Sequence, residues 1–321
     1  MNTLDIYMQS NTHRLLNLDI TNNRLNHAYM MVLPDENLAR EYAKYFAMEI
    51  FCNSHNACGS CANCLKILHD NMSDIAYYPK SQRLSVEESR QIVSDSYVLP
   101  YENEKKLFVI FNFHLATPQS QNALLKVLEE PTQSNIFLLI ASSESTVLST
   151  IRSRSKKILE KKLDNSIIYE YLATRYKDAN ANLLQDASVV AGGSITTAEE
   201  YMLDTKHQGM LRDIYIVWNN LRASADVLRM STVLAKYKDE LNKVLDVMMQ
   251  NVLDMNIALA SNMDNLANEL KPVIDMYNPT SLMKISRLIL ECKDRLKFNS
   301  SHIAVIDHLL FGILEAKFLC K

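Results

Sequence analysis

Glycine is nearly missing from this chain. Five occur in 321 residues, at Gly59, Gly192, Gly193, Gly209 and Gly312, against an average usage of about 7%. Loops that need a positive φ must therefore be few, or be served by Asn and Asp, and a helix-rich chain is expected. Long apolar runs are missing too. None approaches the roughly 18 residues of a membrane span, and the opening "MNTLDIYMQSNTHRLLN" has no basic stretch followed by an apolar one. No membrane association and no signal peptide are expected, and the location is read as cytoplasmic. Nor is there an excess of charge of one sign. A net charge of −3 excludes a chain that grips nucleic acid with its whole surface, while a local basic face stays open. What remains, 48% apolar and 22% charged, is an ordinary globular composition, with length for two or three domains.

Cysteine is sparse but clustered. Four of the six fall at Cys52, Cys58, Cys61 and Cys64, in "FCNSHNACGSCANCLKI". In a reducing compartment such spacing points to metal ligands rather than disulfides. Paired C-x2-C thiolates converge on one ion at about 2.3 Å, and four complete a tetrahedral zinc site. Gly59 sits where a tight knuckle would want it. An iron–sulfur cluster is the rival reading, but the bacterial ferredoxin run continues with Cys and Pro, where this chain has Leu68 and His69. His55 lies in the loop as a spare ligand. A closed four-ligand site is structural, so no chemistry is expected there. Cys292 and Cys320 read as ordinary thiols.

Along the chain, apolar runs at 27–34, 105–113 and 135–142 read as buried strands. Between them lie helical patterns at 36–51, 85–98 and 117–131. Ser85 and Glu88 form a capping-box signature, and Thr117 with Pro118 marks another helix start. Such alternation indicates a parallel sheet covered on both faces. After Ile158 the pattern turns helical. Short helices are expected at 164–176, 181–191 and 196–203. Apolar stripes follow through Leu211, Ile214, Tyr215, Trp218 and Leu221, through Leu282, Ile285, Leu288, Ile289, Cys292 and Leu296, and from Ile303 to Phe318. These stripes read as core.

Several segments now carry a resemblance. "RLNHAYMM" (24–31), the cysteine knuckle after the next helix, "NALLKVLEEP" (122–131) and "STIRSRSKKI" (149–158) occur in this order. Together they resemble the clamp-loader branch of the AAA+ ATPases, over roughly residues 20–160. The resemblance implies a RecA-like α/β AAA+ domain at 1–160 with a zinc knuckle at 51–68. A small helical lid at 161–207 and an all-α collar at 208–321 would follow. The partners implied are the gamma/tau and delta subunits of a hetero-oligomeric ring, with the sliding clamp and primed DNA reached through the complex.

Clamp loaders contain both ATPases and subunits without that activity, so the nucleotide site has to be read directly. A phosphate loop needs G-x-x-x-x-G-K-[ST], and none of the five glycines precedes Lys-Ser or Lys-Thr. Where the family carries its loop, this chain has Pro34, Asp35, Glu36 and Asn37, a segment about four residues shorter. Two carboxylates stand where phosphates would lie. The Asp-Glu pair that would hold Mg²⁺, aligned on "NALLK", is Phe111 and Asn112 here. No ATP binding or hydrolysis by this chain is expected, and Zn²⁺ is the one cofactor.

Arg154 reads as a solvated arginine in the basic run of Arg152, Arg154, Lys156 and Lys157. The resemblance gives it a second reading. The family's Ser-Arg-Cys arginine reaches a neighbouring subunit's ATP, and Ser155 stands here for the Cys. The leading expectation is a non-ATPase clamp-loader subunit that supplies this arginine in trans. The alternatives are a gamma/tau-like ATPase and a zinc-dependent nucleic-acid-binding protein.

Overall fold

The computed structural model describes residues 1–33, 35–260, 266–267, 269–297 and 301–319; Pro34, Cys320 and the Glu36 side chain lie outside them. The chain divides into two compact units, Met1–Lys162 with Ser194–Thr196, and Leu163–Gly193 with Thr197–Lys321.

The first unit is a five-stranded parallel sheet with helices on both faces. Its strands are β1 (Ala28–Val32), β2 (Ile75–Tyr78), β3 (Lys106–Ile110), β4 (Asn135–Ala141) and β5 (Lys156–Leu159), in the order β2-β3-β4-β1-β5. Its helices are α1 (Thr3–Met8), α2 (Asn11–Thr21), α3 (Glu36–Phe51), α4 (Ala62–Leu68), α5 (Val86–Ser96), α6 (Pro118–Glu129) and α7 (Ser149–Arg152). The three central strands are the three apolar runs. They are buried on both faces, as parallel strands under crossover helices must be. Alternation along β1 sorts the faces. Ala28 and Met30 join a core with Ile92 of α5 and Leu124 and Leu128 of α6. Tyr29 packs edge-on against Phe46 of α3, ring centroids 5.2 Å apart. In register across the centre, Phe108 faces Phe137 with the rings stacked at 5.1 Å. This is the parallel sheet covered on both faces that the alternation of strands and helices implies.

The helix starts are chemical. Ser85 and Glu88 cap α5 reciprocally. Thr117 accepts from the Ser120 amide ahead of Pro118 at the start of α6. Two strands and four helices of this unit go beyond the expectation, the short α4 and α7 among the helices. β2 and β5 are four-residue edge strands with only partial burial, and α1 and α2 cover the sheet from the N-terminal side of the sequence.

The second unit contains α8 (Asn165–Arg175), α9 (Ala181–Val190), most of α10 (Ile195–Leu203), α11 (Thr205–Asn220), α12 (Ser224–Ala235), α13 (Leu241–Ala260), α14 (Pro279–Lys297) and α15 (His302–Leu319). The apolar stripe of α11 is buried throughout, and Trp218 is its centre. Its ring meets Tyr277 edge-on at 5.7 Å, and its indole N–H donates to Asn251 Oδ1 at 3.0 Å, so the one polar atom of the ring is satisfied in the core. No described helix is long and apolar enough to cross a membrane.

The shortage of glycine shows in the turns. Among the described residues, positive φ occurs at Gly59, Gly192 and Gly193, and otherwise at Asn23, His55, Ala57, Asp70 and Asn112. Asn and Asp take three of those five places, as expected of side chains that tolerate the left-handed region.

Candidate functional site

The helix α3 has a chemically distinct site at each end. At its C-terminus Cys52 caps the helix, and the chain turns through the knuckle to Cys61, whose Sγ accepts from the Cys64 amide to start α4. The four Sγ atoms of Cys52, Cys58, Cys61 and Cys64 lie within 4.8 Å of one another. Cys58 and Cys64 are 3.9 Å apart, and Cys61 and Cys52 4.0 Å. A tetrahedron of thiolates about 2.3 Å from one zinc has sulfurs about 3.8 Å apart, so the donor set fits. Gly59 has φ +69° with open space where a Cβ would lie. It is the backbone conformation, not crowding, that calls for glycine. His55 is not one of the convergent ligands. Its Nδ1 hydrogen-bonds the Glu49 carbonyl at 3.0 Å.

The thiols also differ in ease of ionisation. Burial opposes the Cys52 thiolate, but hydrogen bonds from Ser54 and from backbone amides outweigh it and bring the thiol down to about 5. Burial and the neighbouring sulfurs push Cys64 up. Four thiolates this close repel one another unless a cation lies between them.

At the N-terminus of α3 the chain leaves β1 for the helix where a phosphate loop would run. A free helix N-terminus is an anion site. Here it already holds an anion of its own. Asp35, 5% exposed, caps the helix by accepting the Leu38 amide at 3.0 Å. The same carboxylate accepts the Ser194 hydroxyl at 2.8 Å and the Thr196 amide and hydroxyl at 3.0 and 2.6 Å.

The end of β3 is occupied too. The Phe111 ring lies under the Arg40 guanidinium, 5.3 Å from its centroid, and stacks with Tyr77 at 6.3 Å and 15°. Asn112 turns the chain at φ 51°. The cavity that touches Leu33, Arg40, Phe111 and Ala141 measures about 20 Å³. That is room for one water, where ligand pockets run to about 300 Å³ and more. A wider cleft of about 380 Å³ flanks Phe111 on Lys44, Asp70, Tyr77 and Pro79, but no described residue of the β1–α3 turn lines it. Lys44 there is held by Asp70 at 3.1 Å.

Arg154 lies between α7 and the edge strand β5. Its guanidinium donates to the Thr150 carbonyl at 2.9 Å and pairs with Glu129 at 2.8 Å, its side chain 36% exposed. Ser155 is buried and donates to the Ile151 carbonyl at 3.0 Å, so the small polar residue packs without distorting the turn. Lys156 pairs with Asp19 and Lys157 with Glu144. Three of the four cations in the basic run are thus already met by carboxylates. Glu129, from "LLKVLEEP", escaped sequence reasoning because nothing local ties it to a residue in the next motif.

Residues 8–164 match the family described as "DNA polymerase III, delta subunit". The chain is 30% identical over 172 residues to the DNA polymerase III subunit tau/gamma of Haemophilus influenzae, covering 53% of this chain and 25% of the relative. It is 26% identical over 187 residues to subunit gamma/tau of Mycoplasma pneumoniae, covering 58% of this chain and 28% of the relative. The chain thus spans about a quarter of the length of these relatives. With the subunit gamma of Buchnera aphidicola subsp. Schizaphis graminum it shares 24% identity over 92% of this chain and 90% of the relative.

Proposed function

We propose that this chain, whose residues 8–164 match the family described as "DNA polymerase III, delta subunit", belongs to the DNA polymerase III clamp-loader family as a delta prime-like subunit that neither binds nor hydrolyses ATP itself. It would act as a fixed member of a hetero-oligomeric ring with gamma/tau and delta subunits, in the cytoplasm, helping to place the sliding clamp on primed DNA. The observation that carries this reading is the filled strand end, where Phe111 packs between Arg40 and Tyr77 in place of a Mg²⁺-binding carboxylate. Asp35 supports it, since a carboxylate at the helix N-terminus repels phosphate. A gamma/tau-like ATPase would need a glycine-rich loop ending in Lys, and the turn after β1 has neither residue.

Within this reading the four cysteines hold one structural zinc, which would tie the end of α3 to α4. Residues 161–207 form the lid and 208–321 the collar through which the ring assembles. Arg154 acts in trans. Its guanidinium would leave Glu129 and Thr150 to stabilise charge on the phosphoryl group of a neighbour's ATP, a role that needs no nucleotide site in its own chain. A zinc-dependent nucleic-acid-binding protein fits less well, because no Lys, Arg or aromatic residue lies between Cys52 and Cys64. Affinity purification of the tagged chain from its own cell extract tests the assignment. Clamp-loader ATPase subunits should come with it in stoichiometric amounts, and their absence at low salt would contradict it.

A further inference from the structure

The helical unit carries a half-open cleft of about 450 Å³ lined by residues of α9, α10, α11 and the segment at 269–272. Leu211 and Ile216 give it apolar sides, and two carboxylates, Asp186 and Glu269, face into one space. Burial, then the charge of Glu269, pushes the Asp186 carboxyl up to about 6. Glu269 Oε2 is buried and, among the described residues, accepts no hydrogen bond. Tyr215 lines the same cleft and is 8% exposed. Among the described residues its hydroxyl has no hydrogen-bond partner. Arg212 also lines the cleft, but it is exposed and pairs with neither carboxylate among the described residues.

Two like charges lining one cleft, one of them with a buried oxygen that is unmet, are a liability unless something positive joins them. A hard metal ion is a poor candidate. Calcium and magnesium take six or more oxygens, and among the described residues three or more metal-ligating side chains converge only at the cysteines. An organic cation suits the site better. Its charged head would take the two carboxylates and the Tyr215 hydroxyl, the faces of Tyr201 and Tyr215 attract a cation, and an aliphatic stem would lie on Leu211 and Ile216.

We propose that this cleft binds an alkylammonium or guanidinium group, held between Asp186 and Glu269 with Tyr215 as a further contact. The shared chemistry admits a free small cation or an arginine or lysine side chain. Calorimetric titration of the full chain with butylguanidinium, and separately with a blocked tetrapeptide containing one arginine, distinguishes them. Saturable binding should appear beyond a sodium chloride control of equal ionic strength. Tighter binding of the peptide assigns a protein side chain, and tighter binding of butylguanidinium a small molecule. The double variant Asp186→Asn with Glu269→Gln should bind about tenfold to a hundredfold more weakly, as expected for lost charge-assisted hydrogen bonds. Without ligand the same variant should melt at a higher temperature, because the repulsion is gone. No saturable binding of either probe, unchanged affinity in the double variant, or a lower melting temperature would each overturn the proposal.

Discussion

The two ends of α3 make opposite use of the same helix. At the C-terminal end, four polar side chains converge on one point and leave a place for an ion. At the N-terminal end the helix dipole is satisfied by Asp35 from within, and Phe111 fills the strand end beside it. An open donor set wants a ligand; a saturated one has no use for it. The two ends are about a helix length apart, roughly 24 Å for a 16-residue helix, so a change at one need not disturb the other.

Removing the donor set at the C-terminal end of α3 should have the largest effect. Purified protein should carry about one zinc per chain by elemental analysis. Cys64→Ser, at a fully buried position, should abolish that zinc and lower the melting temperature by on the order of 10 °C. Iron with visible absorbance, or no metal, would remove the zinc assignment.

A second test concerns what the chain lends to its neighbour. Arg154→Ala should leave folding and ring assembly almost unchanged, because an exposed ion pair contributes about 0–1 kcal/mol. In the reconstituted complex, DNA-stimulated ATP hydrolysis should fall severalfold or more. A full arginine-finger loss is worth roughly 10³–10⁵, diluted here by any interfaces that keep their own. Wild-type hydrolysis and clamp loading in the variant would leave Arg154 a surface residue paired with Glu129.

Smaller effects sharpen the contrast along α3 itself. Glu49, in its last turn, is 0% exposed and meets His13 Nδ1 at 2.5 Å. Burial lifts its carboxyl to about 7, the His13 hydrogen bond and charge lowering it only in part. The folded state therefore holds the proton more tightly than the unfolded chain, whose carboxyl titrates near 4.5. Its contribution to stability is complete below pH about 4.5 and is lost as the pH rises towards 7. Glu49→Gln should gain on the order of 1–3 kcal/mol relative to wild type between pH 5 and pH 8, read from denaturant midpoints. An equal difference at both values would mean the carboxyl titrates normally. At the other end, Asp35→Ala should cost about 1–2 kcal/mol as a lost helix cap, measured the same way. A neutral result there would argue that the carboxylate is not the anchor of this turn.

Much of this was legible in the residues, for identifiable reasons. The three central strands were apolar on both faces, and α3, α5 and α6 announced their limits through caps and spacing. The cysteines were legible because a thiolate cluster is local in sequence. β2 and β5 were missed because an edge strand of four residues, partly exposed, has neither a continuous apolar run nor a clean alternation. Glu49 was hidden among the tyrosines and Phe46 of an amphipathic helix. The pairing of Arg154 with Glu129 and the facing of Asp186 with Glu269 join residues far apart in the chain, and only the fold brings them together. That Phe111 stands where the resemblance places a carboxylate was readable from the motif order, but that its ring is packed by Arg40 and Tyr77 was not.

The central claim is that the nucleotide site is closed, and calorimetry on the purified chain tests it most directly. Titration with ATP and Mg²⁺ to millimolar concentration should give no saturable heat, and Phe111→Asp should not restore binding, because Asp35 still occupies the helix N-terminus and no lysine is present. Binding of ATP to the wild-type chain at micromolar concentration would contradict the account.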